Sequence, residues 1–273
     1  AEQLAHACLG PTGHAEPALV DVSVGLAKSG WVPVANTFAV FLASRALEMV
    51  QTHLCIGGAN VKLAATYAGL SDSFDGPTHQ AISDIAIMRS LPHMTIVVPA
   101  DSLAVSRLLP QVAALDGPVY IRVCRNEVPQ IYSEEYQPRI GKGIVLREGS
   151  DVSVIACGIP VARSLQAARK LAAEGLSVRV VEMHTVKPLD CELVIRCARE
   201  TGAVVTAEEH SILGGLGGAV AECLSESSPA PLERVGIADR YAESGPYLDL
   251  LDKYGLSVEA IVAAVRRAVE RKQ

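Results

Sequence analysis

Short apolar runs rich in β-branched residues alternate with amphipathic stretches along this chain, and that alternation admits few architectures. Thr95–Val98 and Val119–Val123 are mostly apolar rather than strictly alternating, as strands covered on both faces are. Strands of that kind need helices on both sides, so the expectation is α/β: parallel sheets layered between helices.

The elements can be placed from their punctuation. Pro17 opens a helix that stops by Gly30, since proline suits the first helical position and glycine the place just past the last. Trp31–Ala35 reads as a strand, Phe38–His53 as one helix and Val61–Tyr67 as a strand. A loop rich in Gly, Ser and Asp spans 68–78, and Ala81–Ser90 is helical up to Pro92. Asp101 is placed to cap a helix running to about Ala114. The stretch that follows Val123 is polar and irregular, with Pro129 and Pro138. We therefore expect a first α/β domain over 1–128, a linker over 129–142 and a second α/β domain over 143–273. The second unit shows strands at Val152–Ala156, Val178–Met183 and Ala203–Ala207. Its helices fall near Val161–Glu174, near Cys191–Arg199, after Gly217 and near Val258–Arg271.

Charge and cysteine usage exclude several function classes. The net charge is -6 and no run of Lys or Arg stands out, which argues against a nucleic-acid surface. No apolar stretch reaches the roughly 20 residues that span a bilayer. The 7 cysteines are odd in number and form no Cys-x-x-Cys pair, so buried, reduced thiols in a cytoplasmic protein are expected.

The segment richest in chemistry is Phe74-Asp-Gly-Pro-Thr-His-Gln80, between a strand and a helix, where α/β sheets place ligands. By itself Asp75-Gly76-Pro77 is ordinary turn chemistry, and His79 could cap or pack. Glu16 begins a helix, where negative charge is favoured in any case. Phe38 and Phe41 lie three apart, on one face if the segment is helical, and they are two of only 3 Phe in the chain. Gly214-Gly-Leu-Gly-Gly218 lacks a Gly-Lys-Ser/Thr ending, so close helix packing suits it better than phosphate binding. His210 reads as a structural or interface histidine.

Taken in order, these pieces resemble the transketolase family. Gly13-His-Ala-Glu16 is similar to its Gly-Ile-Ala-Glu motif, and Asn36-Thr-Phe-Ala-Val-Phe41 to its Thr-Phe-x-x-Phe motif. Asp75-Gly-Pro-Thr-His-Gln80 matches its substrate loop outright. Arg89-Ser-Leu-Pro92, Pro99-Ala-Asp101, Val123-Cys-Arg125, Thr185-Val-Lys-Pro-Leu189 and Glu208-Glu-His-Ser211 follow at the family's spacing. The resemblance implies a pyrimidine-binding domain followed by the family's C-terminal domain, and thiamine diphosphate as cofactor. It implies that Glu16 faces the ring nitrogen of the aminopyrimidine, where a carboxylate favours the protonated ring. Phe38 and Phe41 would pack on that ring. Asp75 and His79 would meet substrate hydroxyls, with His79 a proton donor or acceptor. Arg125 would bind a terminal phosphate as a bidentate fork. Tyr67 stands where many relatives carry a substrate-binding His, and Pro17 where Gln or His is usual.

The Gly-Asp-Gly motif that holds a divalent ion on the diphosphate is absent from this sequence. The resemblance therefore implies a split enzyme. An N-terminal-half subunit would hold Mg2+ or Ca2+, the active site would form between chains, and two copies of each chain (α2β2) are expected. The expected reaction moves a two-carbon ketol unit from a ketose, phosphorylated by this reading, to an aldose. Two other readings stand beside it: the β subunit of a 2-oxo-acid dehydrogenase, which shares the architecture and the glutamate but not the 75–80 loop, and a non-catalytic partner-binding subunit.

Overall fold

A computed structural model describes residues 6–9 and 14–272, with only the backbone course of 6–9. Gly13 of the Gly13–Glu16 motif and the Cys8 thiol lie outside the described residues. Two sheets form. The first has the order β1-β2-β3-β5-β4-β9: β1 (His6–Leu9), β2 (Val32–Phe38), β3 (Lys62–Thr66), β4 (Thr95–Val97), β5 (Val119–Arg122) and β9 (Thr185–Lys187). The second has the order β11-β10-β7-β8-β6: β6 (Ile144–Arg147), β7 (Val152–Ala156), β8 (Val178–Glu182), β10 (Val204–Ser211) and β11 (Leu232–Ile237). Each sheet is parallel except for one antiparallel edge pair, β4 with β9 and β8 with β6. Strand β9 lies in the second half of the sequence yet completes the first sheet, so the two halves are tied by backbone pairing.

The helices are α1 (Glu16–Lys28), α2 (Ala39–Ala43), α3 (Leu47–Met49), α4 (Asp84–Ser90), α5 (Ser102–Ala114), α6 (Pro160–Ala172), α7 (Cys191–Thr201), α8 (Leu216–Ser227), α9 (Tyr247–Lys253) and α10 (Val258–Glu270). One hydrophobic core holds Leu42, Leu63 and Ile85 of the first half together with Met183, Val194 and Leu216 of the second. Burial of this kind, at about 25 cal/mol per Å² of apolar surface, makes the halves one packed body.

The segment read as a single helix over 38–53 is not one. Phe38 ends β2, pairing in register with Thr66 of β3, and the chain then turns through α2, a break at Ser44–Ala46, α3 and a π-helical stretch Val50–Ile56. The Ser44 hydroxyl donates back to the Val40 carbonyl, a contact that bends helices. Helix α4 starts at Asp84 rather than Ala81, because Ala81 bridges to Ala68 and Gly69 and extends the loop. The thiols of Cys55, Cys157, Cys197 and Cys223 are buried and free, as expected, while Cys191 is exposed at the start of α7 and Cys124 is half-buried. Among the described residues no helix is long and apolar enough to cross a membrane.

Candidate functional site

The residues singled out in the sequence converge on one end of the first sheet. Glu16 begins α1 just after β1, Phe38 ends β2, Tyr67 follows β3 and Arg125 follows β5. These strands are neighbours in the order β1-β2-β3-β5, so the four residues line the carboxyl edge of the sheet. Asp75 and His79 come from the long loop after β3.

The aromatic groups form a row. Tyr67 stacks on Phe38 with ring centroids 4.2 Å apart, and Phe38 stacks on Phe41 at 5.7 Å. The His79 ring meets Phe38 and Phe41 edge-on at 6.1 and 5.3 Å. A guanidinium covers each end: Arg45 lies over Phe41 at 4.3 Å and Arg125 over Tyr67 at 4.9 Å, both within cation–π range. Tyr67 takes a left-handed backbone with φ 58, rare for an aromatic residue and typical of positions where a site dictates the backbone. The conformation delivers its ring onto Phe38.

Glu16 is buried, and Arg45 Nη1 donates to its Oε2 at 2.7 Å. Arg45 was not among the residues expected from sequence. No sequence signal marked it: Arg45 lies in the break after α2, and only the folded chain brings it over Phe41. The contact also tests the fit of the cofactor. A planar cationic group already donates an N–H to Glu16 while lying on the face of Phe41. Those are the two interactions a protonated aminopyrimidine asks for, so the acceptor and the aromatic surface suit that ring.

At the Tyr67 end of the row, Arg125 Nη1 pairs with Asp72 Oδ1 at 2.8 Å, the arginine half exposed and the aspartate fully buried. Burial pushes the Asp72 carboxyl up, the neighbouring Asp75 carboxyl adds to this, and Arg125 opposes both. Asp72 Oδ2 is buried with no partner. Asp75 is exposed, and His79 Nδ1 lies 2.9 Å from the Thr78 hydroxyl. The His79 N–H donates to the Gly76 carbonyl at 2.9 Å, which closes the turn beneath the imidazole.

The Gly214–Gly218 segment is a packing device. Leu216 and Gly217 N–H groups donate to the Glu208 carboxylate at 2.6 and 2.7 Å, and a Cβ on Gly215 would run into that carboxylate. The N-terminus of α8 is thus satisfied by a protein carboxylate. His210 is buried: its Nε2 accepts from the Ala86 N–H at 3.3 Å and its Nδ1–H donates to the Ser211 carbonyl at 2.7 Å. Among the described residues no cluster of three or more His, Cys, Asp or Glu could hold a metal ion.

Comparison with known proteins covers both halves of the chain. The family description "Transketolase, pyrimidine binding domain" matches residues 11–130, and "Transketolase, C-terminal domain" matches 141–261. The chain is 44% identical over 260 residues to the 6-deoxy-6-sulfo-D-fructose transketolase subunit SqwH of Clostridium sp. (strain MSTE9), covering 95% of this chain and 81% of that one. It is 36% identical to an apulose-4-phosphate transketolase subunit of Phocaeicola vulgatus, covering 95% and 83%. Among solved structures it resembles a split-gene transketolase described as an inactive beta4 tetramer, with TM-score 0.87, 47% identity and coverage of 95% and 83%. With both domains matched and these identities spanning nearly its whole length, the chain belongs to the transketolase family.

Proposed function

We propose that this chain is the C-terminal-half subunit of a two-chain, thiamine-diphosphate-dependent transketolase that moves a two-carbon ketol unit from a ketose to an aldose. The observation that carries the reading is the gathering of Glu16, Phe38, Phe41 and His79 at the carboxyl edge of adjacent strands. When bound, thiamine diphosphate supplies the nucleophilic carbon that accepts the ketol unit. The buried Glu16 carboxylate would hold the ring N–H, and Phe41 and Phe38 would flank the ring. His79 would donate to and take protons from sugar oxygens, with Asp75 on a neighbouring hydroxyl. The 75–80 loop favours this reading over a 2-oxo-acid dehydrogenase subunit.

The diphosphate and its divalent ion, Mg2+ or Ca2+, fall to an N-terminal-half partner in this proposal, in an α2β2 assembly and a cytoplasmic setting. The two related transketolase subunits take their names from sugars that carry a sulfonate or a phosphate. Arg125, half exposed beside Tyr67, suits a terminal anion of either kind. The test uses the reconstituted two-chain enzyme with matched donors ending in phosphate, sulfonate or plain hydroxymethyl. Arg125→Ala should lower kcat/KM for the anionic donors by roughly tenfold, the lower end for a hydrogen bond to a charged group, and leave the neutral donor nearly unchanged. Equal losses for all three would make Arg125 a structural partner of Asp72 instead.

A further inference from the structure

The loop that carries Asp72, Asp75 and His79 is held from the second domain. Its start, its middle and its end each bond to residues more than a hundred positions away. At the start, the Leu70 N–H donates to Glu209 Oε1 at 2.7 Å. Gly69 beside it has φ +63, and a Cβ there would collide with the Glu209 carboxylate, so only glycine lets the carboxylate approach. In the middle, the Gly245 N–H donates to the Ser73 carbonyl at 3.0 Å and Gln80 Nε2 donates to the Glu243 carbonyl at 3.1 Å. At the end, the Ser211 N–H donates to the Ile82 carbonyl at 2.8 Å.

A buried arginine joins the two ends. Arg122 Nη2 donates to the carbonyls of Ala81 and Glu209, each at 2.9 Å, and its Nε pairs with Asp84 Oδ2 at 2.8 Å. The same Asp84 oxygen accepts from the Tyr120 hydroxyl at 2.8 Å. Burial works against the Arg122 charge, and the carboxylates of Asp84 and Glu209 outweigh it. The Glu209 carboxyl is buried too: burial pushes it up to about 7, against the pull of Arg122, the Leu70 N–H and the Tyr247 hydroxyl. A carboxyl in a β-strand core is costly and calls for a reason. Its backbone partner, the Leu70 N–H, sits two residues before the buried Asp72, at the root of the substrate loop.

We propose that Glu209 of the second domain is a positioning residue of the active site, anchoring the root of the 69–82 loop so that Asp75 and His79 face the substrate. The proposal rests on the transketolase reading for its link to turnover, but the anchoring itself does not depend on which reaction the site performs. Among the described residues no hydrogen bond or ion pair joins Glu209 to Glu16, Phe38 or Phe41, so it should act on the substrate half of the site and not on the cofactor half.

The test uses the full chain and its reconstituted complex, with Glu209→Ala and the charge-keeping, shorter Glu209→Asp. Hydrogen exchange of the 69–82 amides should speed up by about tenfold or more in either variant, while exchange across β7 and β8 stays unchanged. In the complex, kcat/KM for the donor sugar should fall by roughly 10- to 100-fold, as for a remote group that misplaces a catalytic one. Exchange of the C2 proton of bound thiamine diphosphate should stay within about twofold, as for a distant, uncoupled site. If Glu209→Ala does not fold, Glu209→Asp carries the same readouts. Loop exchange that matches wild type overturns the anchoring. C2-proton exchange that falls in step with turnover overturns the positioning role and leaves Glu209 a general stabiliser. Absence of ketol transfer in the wild-type complex would remove the functional reading alone, and the loop-exchange result would still decide the proposal.

Discussion

Replacing Glu16 by glutamine separates the proposed chemical role from a structural one, because the two are expected to differ greatly in size. The Glu16 side chain is 5% exposed, whereas its partner Arg45 is 40% exposed and keeps contact with water. Removing the carboxylate charge therefore leaves a guanidinium that solvent can stabilise, and the loss in folding stability should be about 1 kcal/mol or less. The fold around α1 rests on Leu19 and Val20, which the substitution leaves alone. Chemistry should suffer more. An amide oxygen can accept a hydrogen bond from the pyrimidine ring but cannot favour its protonated form as a carboxylate does. Acid–base effects of this type run at about 10²- to 10⁴-fold. At about 1.4 kcal/mol per decade that is roughly 3–5 kcal/mol of barrier. The assay is C2-proton exchange of the bound cofactor by NMR in the two-chain complex, with the melting temperature measured alongside. Exchange that slows by 100-fold or so, with melting nearly unchanged, supports the role. Unchanged exchange refutes it, and exchange that falls only because cofactor is lost shows Glu16 to be a binding residue.

Two further outcomes follow from buried carboxylates. Burial pushes Glu182 up to about 7, against the hydrogen bond from Tyr136, and Glu209 likewise to about 7, so the folded chain binds more protons than the unfolded chain between about pH 4.5 and 7. Stability should therefore fall as pH rises through that window, each group costing on the order of 3 kcal/mol above it. Buried His184, pushed down to about 4, offsets part of this loss; urea titrations at pH 5 and 8 should still show a net decline in wild type and well under half of it in Glu182→Gln, and a flat wild-type profile would contradict the burial argument. Gly215→Ala should destabilise the chain by about 2 kcal/mol by driving Glu208 off the N-terminus of α8, and a neutral result in thermal melts would restore a ligand-binding reading of that segment.

Strands such as β5 and β7 were legible because fully buried strands write themselves as apolar runs. Edge strands β6 and β9 were not. Both are short, and β6 is only half-buried along its length, so neither leaves a clear pattern. The break after α2 was hidden because Ser44 bends the chain by a local hydrogen bond that hydrophobic periodicity does not record. In the site, Glu16, Phe38, Phe41 and His79 could be named from the motifs, but the reason Phe38 reaches the site is its place at the end of β2, not a helical face. Arg45, Asp72 and Glu209 acquire meaning only from contacts across the fold. A charged pair inside the strand at Glu208-Glu209 was the one hint, since charge in a buried strand is expensive.

In the proposed enzyme this chain supplies half of a ketol-transferring site. The most direct measurement is ketol transfer by the purified chain alone, by an N-terminal-half transketolase subunit alone, and by their mixture with thiamine diphosphate and Mg2+. Activity is expected only in the mixture, saturating at equal amounts of the two chains. Turnover by this chain alone, or none in a mixture whose chains demonstrably assemble, would contradict it.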